Sequence, residues 1–332
     1  MMLRFLAVRV GSLVAVLASL VVVLFILEQV SPVDPVRARL GANADVEIVE
    51  RERTRLGYND PLPTQLGRQL AGVAQGDLGE SLRTRNPVAA DLAATLPASL
   101  ELGFATLLLA GVLGGLLGVT TAAGSRGSGW LRILLLTAAS IPVFVLAMGG
   151  LILWYRQLGW LPATGRSSLV GATSPTGLLI VDGLLHGRVD VVVDALRHLA
   201  LPAACLAVGP AVAIGRVLRG SLVDTLEQDH IRTARSKGLG ERRVLARHAL
   251  RGSLGPTLSM AGLQTGLLLA FLVIVEQIFA WPGVGNYLAQ SIPASDFPAV
   301  RGVTLLLGAI YIVANAAVDV LQVRADPRVL LR

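Results

Sequence analysis

Residues 102–124 read LGFATLLLAGVLGGLLGVTTAAG and contain no charged side chain. A helix needs about 20 apolar residues to cross the hydrocarbon of a bilayer, because its backbone polar groups must be satisfied within the segment. The stretch meets that length, so it predicts a membrane-spanning helix.

Five further uncharged runs come near the same length, at 10–27, 133–155, 198–215, 252–275 and 302–318, the last continuing past Asp319 to Val323. The chain is 53% hydrophobic and 15% charged, with a mean hydropathy of +0.66. We therefore predict an all-α integral membrane protein with six transmembrane helices. Segment 167–181 is short and broken by polar residues, Gly and Pro, so we expect it outside the membrane or at its surface.

The first run follows Arg4 and Arg9, as the apolar core of a signal peptide would. It is longer than such cores, and no small-x-small cleavage site precedes Pro32. We interpret it as an uncleaved span.

The net charge of +7 comes from 28 arginines and one lysine, Lys237, against 22 acidic residues. The basic residues lie in short stretches between the uncharged runs and form no stripe with interleaved aromatics. This distribution predicts the lipid bilayer as a partner and no nucleic acid. The one cysteine, Cys205, lies in an apolar run and allows no internal disulfide.

Charge asymmetry predicts the orientation. Segment 216–251 holds nine basic and four acidic residues, whereas 31–99 holds eight and nine. Because positive loops stay in the cytoplasm, we expect that loop and both termini there, together with Arg126 and the tail that carries Arg324, Arg328 and Arg332. The expected organisation is an N-terminal transmembrane helix at 1–30, an extracytoplasmic segment at 31–98, and a core of five transmembrane helices at 99–332 that includes the cytoplasmic loop 216–251.

Two helices are expected in the extracytoplasmic segment. Residues 45–56 form a polar helix-like stretch after Asn43, and 65–73 follow a Pro61–Pro63 break with Leu66, Leu70 and Val73 at helical spacing. No His, Cys or paired carboxylates there have metal-ligand or acid/base spacing. The segment is expected to be a small cap without catalytic or metal-binding residues.

The loop at 216–251 predicts a helix-turn-helix. Residues 221–237 are expected to form one helix ended by Gly238, and 241–250 a second short helix after the turn at 238–240. Spans on both sides disfavour a DNA-binding module. An anchor for anionic lipid is the structural alternative.

Short boxes along the whole chain carry a resemblance to a known family. They are SPVDP (31–35), RLG (55–57), PLP (61–63), GDLGES (76–81), LPASLEL (96–102), SIP (140–142), DHIRTARSKGL (229–239), RHALR (247–251), EQIFAWPG (276–283), VD (318–319) and DPR (326–328). In order and spacing they resemble the first of the two paired inner-membrane permeases of binding-protein-dependent ABC importers for oligopeptides, dipeptides and nickel.

The resemblance implies the type I transmembrane fold of such importers and a cytoplasmic EAA motif that docks on the ATPase. Arg232, Thr233 and Ala234 stand where the motif has Glu-Ala-Ala, Gly238 matches its glycine, and Arg251 replaces a late proline. The implied ATPase-coupling loop continues through Arg235, Ser236, Lys237 and Leu239, with Leu239 as an apolar tip. A salt bridge specific to the motif's glutamate is not expected.

The resemblance also implies partners: a second homologous permease, one or two P-loop ATPase subunits, and an extracytoplasmic binding protein. ATP and Mg²⁺ would bind the ATPases, since the sequence has no Gly-x4-Gly-Lys-Ser/Thr motif and we expect no cofactor on this chain. The implied function is uptake of oligopeptides or dipeptides across the bacterial inner membrane. Nickel chelates and glutathione are the alternatives.

Other functional classes depend on different residues. A secondary transporter could use Glu101, Glu276 and Asp319, because charges near membrane depth often mark ion routes. The stretch 281–299, beginning with Trp281, is a further candidate for a gate. An intramembrane enzyme is disfavoured, since the four histidines form no ligand or catalytic set. Gly111, Gly114, Gly115 and Gly118 are expected to serve helix packing.

Overall fold

The computed structural model describes residues 2–32, 34–41, 44–124, 128–169 and 175–325. Within these ranges all regular structure is helical, and the β-structure is a single isolated bridge between Glu80 and Pro87. Arg126, Arg328 and Arg332, with the box at 326–328, lie outside the described residues. The chain divides into two compact units, one from 1–99 and 282–312 and the other from 100–281 and 313–332.

The helices are numbered in chain order. They are α1 (Met2–Val30), α2 (Pro35–Leu40), α3 (Val46–Leu56), α4 (Leu62–Ala74), α5 (Val88–Ala122), α6 (Ser128–Ala139), α7 (Val143–Gly150), α8 (Leu179–Leu185), α9 (Val189–Leu226), α10 (Asp229–Ser236), α11 (Glu241–Arg243), α12 (Leu250–Ile278), α13 (Val284–Ser291) and α14 (Phe297–Ala325). Leu151–Gln157 is a π-helical continuation of α7, and the π-helical segment Val244–Ala249 joins α11 to α12.

Five helical stretches are long and apolar enough to cross a membrane: α1, α5, α9, the continuous helix Glu241–Ile278, and α14. They contain four of the six predicted runs and all but the last two residues of a fifth, 102–124, which confirms those five predictions. Several helices extend well beyond their uncharged runs. For example, α9 begins at Val189 and ends at Leu226, whereas the run covers only 198–215.

The sixth run, 133–155, is not one straight helix. The chain bends by 106° between Gly129–Ala139 and Val143–Gln157. Pro142 has no N–H to donate, and it disfavours helical geometry at Ile141, so the helix ends there and restarts. The expectation of an uninterrupted helix is wrong, and the pair makes a sixth span when it is counted as one. Of segment 167–181, residues 170–174 are not described and α8 begins only at Leu179.

In the first unit the two helices expected after α1 are present. Asp45 caps α3 by accepting a hydrogen bond from the Glu47 N–H at 3.2 Å, and Gly57 ends the helix at φ +74°. Helix α4 begins at Leu62, earlier than expected, because its first turn tolerates proline. The buried Gln65 side chain donates to the backbone oxygens of Tyr58 and Asp60 and so holds α4 against the preceding turn.

The core of the first unit forms where the start of α5 meets α13 and the start of α14. Val88, Leu92, Val284, Tyr287 and Val303 are all buried in one cluster. A Cβ at Gly302 would lie 2.5 Å from the Val88 side chain. The close approach of α14 to α5 therefore depends on the absence of a side chain there.

In the second unit α9 packs along α12 and against α5, and glycines permit the second contact. A Cβ at Gly114 would lie 2.8 Å from the Ala211 carbonyl oxygen, and one at Gly118 the same distance from Leu218. The packing role predicted for these two glycines is confirmed. For Gly111 and Gly115 it stays a prediction, since no described atom of this chain lies within 4 Å of a Cβ added there.

Candidate functional site

The loop between α9 and α12 contains the short helix α10. Ile231 and Ala234 are buried, whereas Arg232, Thr233, Arg235, Ser236 and Lys237 are exposed. The buried residues contact Leu218, Leu222, Val244 and Ala249 in one apolar cluster. Hence α10 is held to its own unit by one face and presents a polar, basic face to the surroundings.

Two expectations about this loop are wrong. Residues 221–237 do not form one helix, because α9 ends at Leu226 and Gln228 is extended, with φ −73° and ψ 152°. The helix that starts at Glu241 is not short, since it continues through the π-helical segment to Ile278. The loop is therefore a single eight-residue helix between two long ones.

The turn after α10 provides two backbone hydrogen bonds to carbonyl oxygens at the end of the helix. Gly238 N–H donates to the Arg235 oxygen at 2.9 Å, and Leu239 N–H donates to the Ala234 oxygen at 3.3 Å. Gly238 has φ +79°, the left-handed geometry that glycine adopts without steric cost. This is a Schellman ending, and the expected role of Gly238 as helix terminator is confirmed.

A bidentate ion pair closes the turn. Arg235 Nε and a terminal nitrogen donate to the two carboxylate oxygens of Glu241 at 2.7 and 3.1 Å. These hydrogen bonds raise the pKa of Arg235 above its ordinary value. The pair is solvent-exposed, so it orients α10 relative to α11 more than it stabilises the fold.

Leu239 does not project from the loop as an apolar tip. Its side chain is partly buried and packs on the cluster beneath α10. A hydrophobic contact from this position accompanies many Schellman endings. The surface left for a partner is therefore the polar face of α10, formed by Arg232, Thr233, Ser236 and Lys237.

A buried ion pair organises the other end of the second unit. An Arg166 terminal nitrogen lies 2.5 Å from Glu101 Oε2, with the two side chains 14% and 8% exposed. The same nitrogen donates to the Gly177 oxygen at 2.9 Å, and Ile180 N–H donates to Glu101 Oε1 at 2.8 Å. The pair thus fixes the segment before α8 to α5.

Trp281 belongs to the same cluster. The Arg166 guanidinium lies 5.9 Å from the centre of the Trp281 ring, which is buried. Trp281 N–H donates to the backbone oxygen of Glu276, itself buried, at 2.8 Å. Three of the four pathway candidates are thus neighbours, whereas Asp319 lies on α14 and makes none of these contacts.

Arg166 was missed by the sequence analysis, although it is the one arginine or lysine between Arg156 and Arg188. In the first unit Asp296 was also missed. Its buried carboxylate accepts hydrogen bonds from Ser81 Oγ at 2.5 Å and Arg83 N–H at 3.2 Å, and so ties the GDLGES box to the start of α14. No short-range sequence pattern reveals these contacts, since Arg166 and Glu101 are 65 residues apart in sequence and Ser81 and Asp296 are 215 apart.

A cavity of about 600 Å³ lies beside the bend between α6 and α7. Its walls come from 139–146, from α9 at 205–210 and from α12 at 264–274, and the polar side chains among them are few, notably Ser140 and Gln264. Within the described residues no group of three or more His, Cys, Asp and Glu side chains is placed to hold a metal ion.

The long apolar helices identify an integral membrane protein, and the open cavity beside the bend and the exposed basic loop are compatible with a component of a transport system. Residues 110–331 match the family described as "Binding-protein-dependent transport system inner membrane component", and 2–103 match its N-terminal domain. The chain belongs to this family, the inner-membrane permeases of ABC importers.

Curated relatives match over nearly the full length. The chain is 39% identical to a probable D,D-dipeptide transport system permease protein of Escherichia coli (strain K12), with 97% of this chain and 96% of the relative covered. It is 38% identical to a di/tripeptide transport system permease protein of Pseudomonas aeruginosa (strain UCBPP-PA14), with 99% of both covered. Identity to a dipeptide transport system permease protein of Alkalihalophilus pseudofirmus is 34%, with 97% of both covered.

Replacing Gly238 with valine is expected to open the turn after α10. Lys237 is the only lysine, so endoproteinase Lys-C cleaves the chain at one place and reports on this loop. A β-branched residue at φ +79° costs about 1–2 kcal/mol, which corresponds to roughly a tenfold faster cleavage of the detergent-purified protein. Cleavage rates are normalised to those of each variant unfolded in urea, which removes the effect of the new side chain on the protease.

Gly240→Ser is the matched control, since Gly240 has ordinary extended geometry and precedes a helix, where serine is favoured. Its normalised cleavage should equal that of the parent. Equal rates for the parent and Gly238→Val would show that the loop does not need the left-handed residue.

Arg166→Met is expected to destabilise the protein more than the double replacement Glu101→Gln with Arg166→Met. The single change leaves a buried carboxylate without its cation, a loss of about 3–5 kcal/mol, whereas the glutamine of the double variant is neutral and still accepts from Ile180. Thermal unfolding in detergent measures both. Arg188→Met, which breaks an exposed pair with Asp190, serves as control and should change stability by less than about 0.5 kcal/mol. A double variant less stable than the single would contradict the structural role of the pair.

Proposed function

We propose that this chain imports peptides, as the first of two paired permeases that together form the translocation pathway. A second homologous permease completes the pathway, and an extracytoplasmic binding protein delivers the substrate. The observation that carries the proposal is the likeness, over nearly the whole length, to permeases named for dipeptides and for di- and tripeptides in three organisms.

The energy is proposed to come from ATP hydrolysed on separate P-loop ATPase subunits, which would hold the ATP and Mg²⁺. The polar face of α10 is the proposed docking surface on this chain. It is supported by the exposure of Arg232, Thr233, Ser236 and Lys237 on a helix whose other face is fixed by Ile231 and Ala234. The buried face of α10 packs against α9 and against Val244 of the helix Glu241–Ile278. A displacement of α10 by a docked ATPase would therefore be transmitted to both long helices.

The proposed orientation places both termini and the loop 216–251 in the cytoplasm and 31–98 outside. Its support is the excess of basic over acidic residues in that loop, compared with the balanced charge of 31–99. Helices α3 and α4 would then belong to an extracytoplasmic cap of this subunit.

A secondary transporter that relays protons through Glu101 is the less supported alternative. The carboxylate of Glu101 is held by Arg166 and by Ile180 N–H, an arrangement that favours a fixed structural anion.

We propose the cavity beside the bend, with Gln264 and Ser140 in its wall, as part of the pathway. Nickel chelates and glutathione remain the alternative cargo.

Uptake by a strain lacking this gene and other peptide transporters tests the substrate. Returning the parental gene should restore uptake of a radiolabelled dipeptide and leave free amino-acid uptake unchanged. Glutathione and chelated ⁶³Ni are assayed in parallel. Restored uptake of either of these without dipeptide uptake would contradict the peptide assignment.

The same strain separates coupling from folding. Gly238→Val, at normal abundance in the membrane, should lose most dipeptide uptake. The left-handed turn that ends α10 would be disrupted, so the docking helix would no longer be held in a fixed orientation. Gly240→Ser should transport like the parent. Full transport by Gly238→Val would remove the loop from the coupling proposal.

Lys-C cleavage in sealed membranes tests orientation and docking together. Inside-out vesicles stripped of peripheral proteins should be cut after Lys237, and intact spheroplasts should not. Adding back the partner ATPase should slow the cut several-fold, since Lys237 lies on the proposed docking face. Cleavage in spheroplasts would overturn the orientation, and unchanged cleavage with a bound ATPase would overturn the docking surface.

A further inference from the structure

Three arginines from two helices converge on one cavity in the second unit. Arg132 on α6 and Arg216 and Arg219 on α9 line a space of about 410 Å³, together with Thr121 on α5. All three arginine side chains are exposed. None of the residues that line this space is acidic.

The charges of the three arginines are not balanced by neighbours. Within the described part of the chain, none of the guanidinium groups makes a hydrogen bond or an ion pair with another residue. Other arginines of the same unit, such as Arg166 and Arg235, are paired with carboxylates. Three like charges around one cavity repel one another, so the arrangement favours an anion among them.

Part of the cavity wall is apolar. Leu117 and Leu136 line it beside the arginines, and Leu117 is part of a buried cluster with Leu135 and Val212. A soluble anion would gain nothing from these leucines. An amphiphile whose phosphate meets the arginines and whose hydrocarbon follows the leucines would use both parts of the site.

The positions of its residues relative to the uncharged runs indicate that the cavity lies where hydrocarbon gives way to headgroups. Arg216 is the first charged residue after the uncharged run 198–215, Arg132 immediately precedes the run 133–155, and Thr121 lies near the end of 102–124. Trp130, two residues from Arg132, is 78% exposed. Exposed tryptophan is typical of the membrane interface, so this position is independent support for a lipid site.

We propose that this three-arginine cavity binds the phosphate of an anionic phospholipid, with the glycerol and the first part of an acyl chain on Leu117 and Leu136. The guanidinium groups can each donate two hydrogen bonds to a phosphate. A volume of about 410 Å³ lies within the range of small-ligand sites. The bound lipid bridges α6 and α9 at the membrane surface.

Binding of a fluorescent short-chain phosphatidylglycerol to the purified full-length chain in neutral detergent tests the proposal. The variant Arg132→Gln/Arg216→Gln/Arg219→Gln should bind about a hundredfold more weakly, from roughly a fivefold loss for each arginine. Its matched control is Arg242→Gln/Arg243→Gln/Arg247→Gln, which removes three exposed arginines of the same loop outside the cavity and should keep parental affinity. Equal loss in both variants would mean general attraction to basic charge and would overturn the site.

Two further arms identify the ligand. Phosphatidylcholine and inorganic phosphate should compete poorly, and Leu136→Gln should weaken phosphatidylglycerol binding several-fold without unfolding the protein, checked by its thermal midpoint. Displacement by millimolar phosphate as effective as by lipid would assign the cavity to a soluble anion. If the three-glutamine cavity variant keeps its lipid but loses copurification of the ATPase, the arginines form a protein-docking surface, and the lipid proposal fails.

Discussion

A helix inside hydrocarbon must pair its own backbone N–H and C=O groups, since lipid tails offer no hydrogen bonds. The interruption between α6 and α7, and the end of α10 outside the spans, show how backbone groups are satisfied where a helix stops. The break at Ile141 is made by a proline that has no N–H to leave unpaired. The end of α10 is closed by the Gly238 and Leu239 N–H groups, so the turn has satisfied carbonyls before the next long helix begins.

Charged groups follow the same logic in the second unit. Glu101 and Arg166 are nearly inaccessible, and their burial is tolerable because each is the partner of the other and both have a further backbone hydrogen bond. The exposed Arg235–Glu241 pair has a different use, since water already solvates it. The first pair fixes a loop to a span, and the second sets the direction of a surface helix.

Local chemistry was readable from the sequence, and long-range contact was not. The uncharged runs and the Gly238 terminator depend on neighbours within a few residues, so their types and spacing identify them. The contacts of Arg166 with Glu101 and of Ser81 with Asp296 join residues far apart in the chain, and no periodicity encodes them. The loop lies between these cases. The apolar positions of α10 were present in the sequence, but the inward direction of Leu239 depends on packing against α9 and Val244.

The continuous helix from Glu241 to Ile278 carries the π-helical segment Val244–Ala249 near its start. A single π-helical turn accommodates about one residue more than an α-helical turn. Each residue of an α-helix advances the chain by about 100° around the helix axis. A helical wheel drawn through residues 241–278 as one regular α-helix would therefore misplace the side chains of one end by about a quarter of a turn or more. The faces of α12 have to be assigned from Leu250 onward, independently of the loop that precedes it.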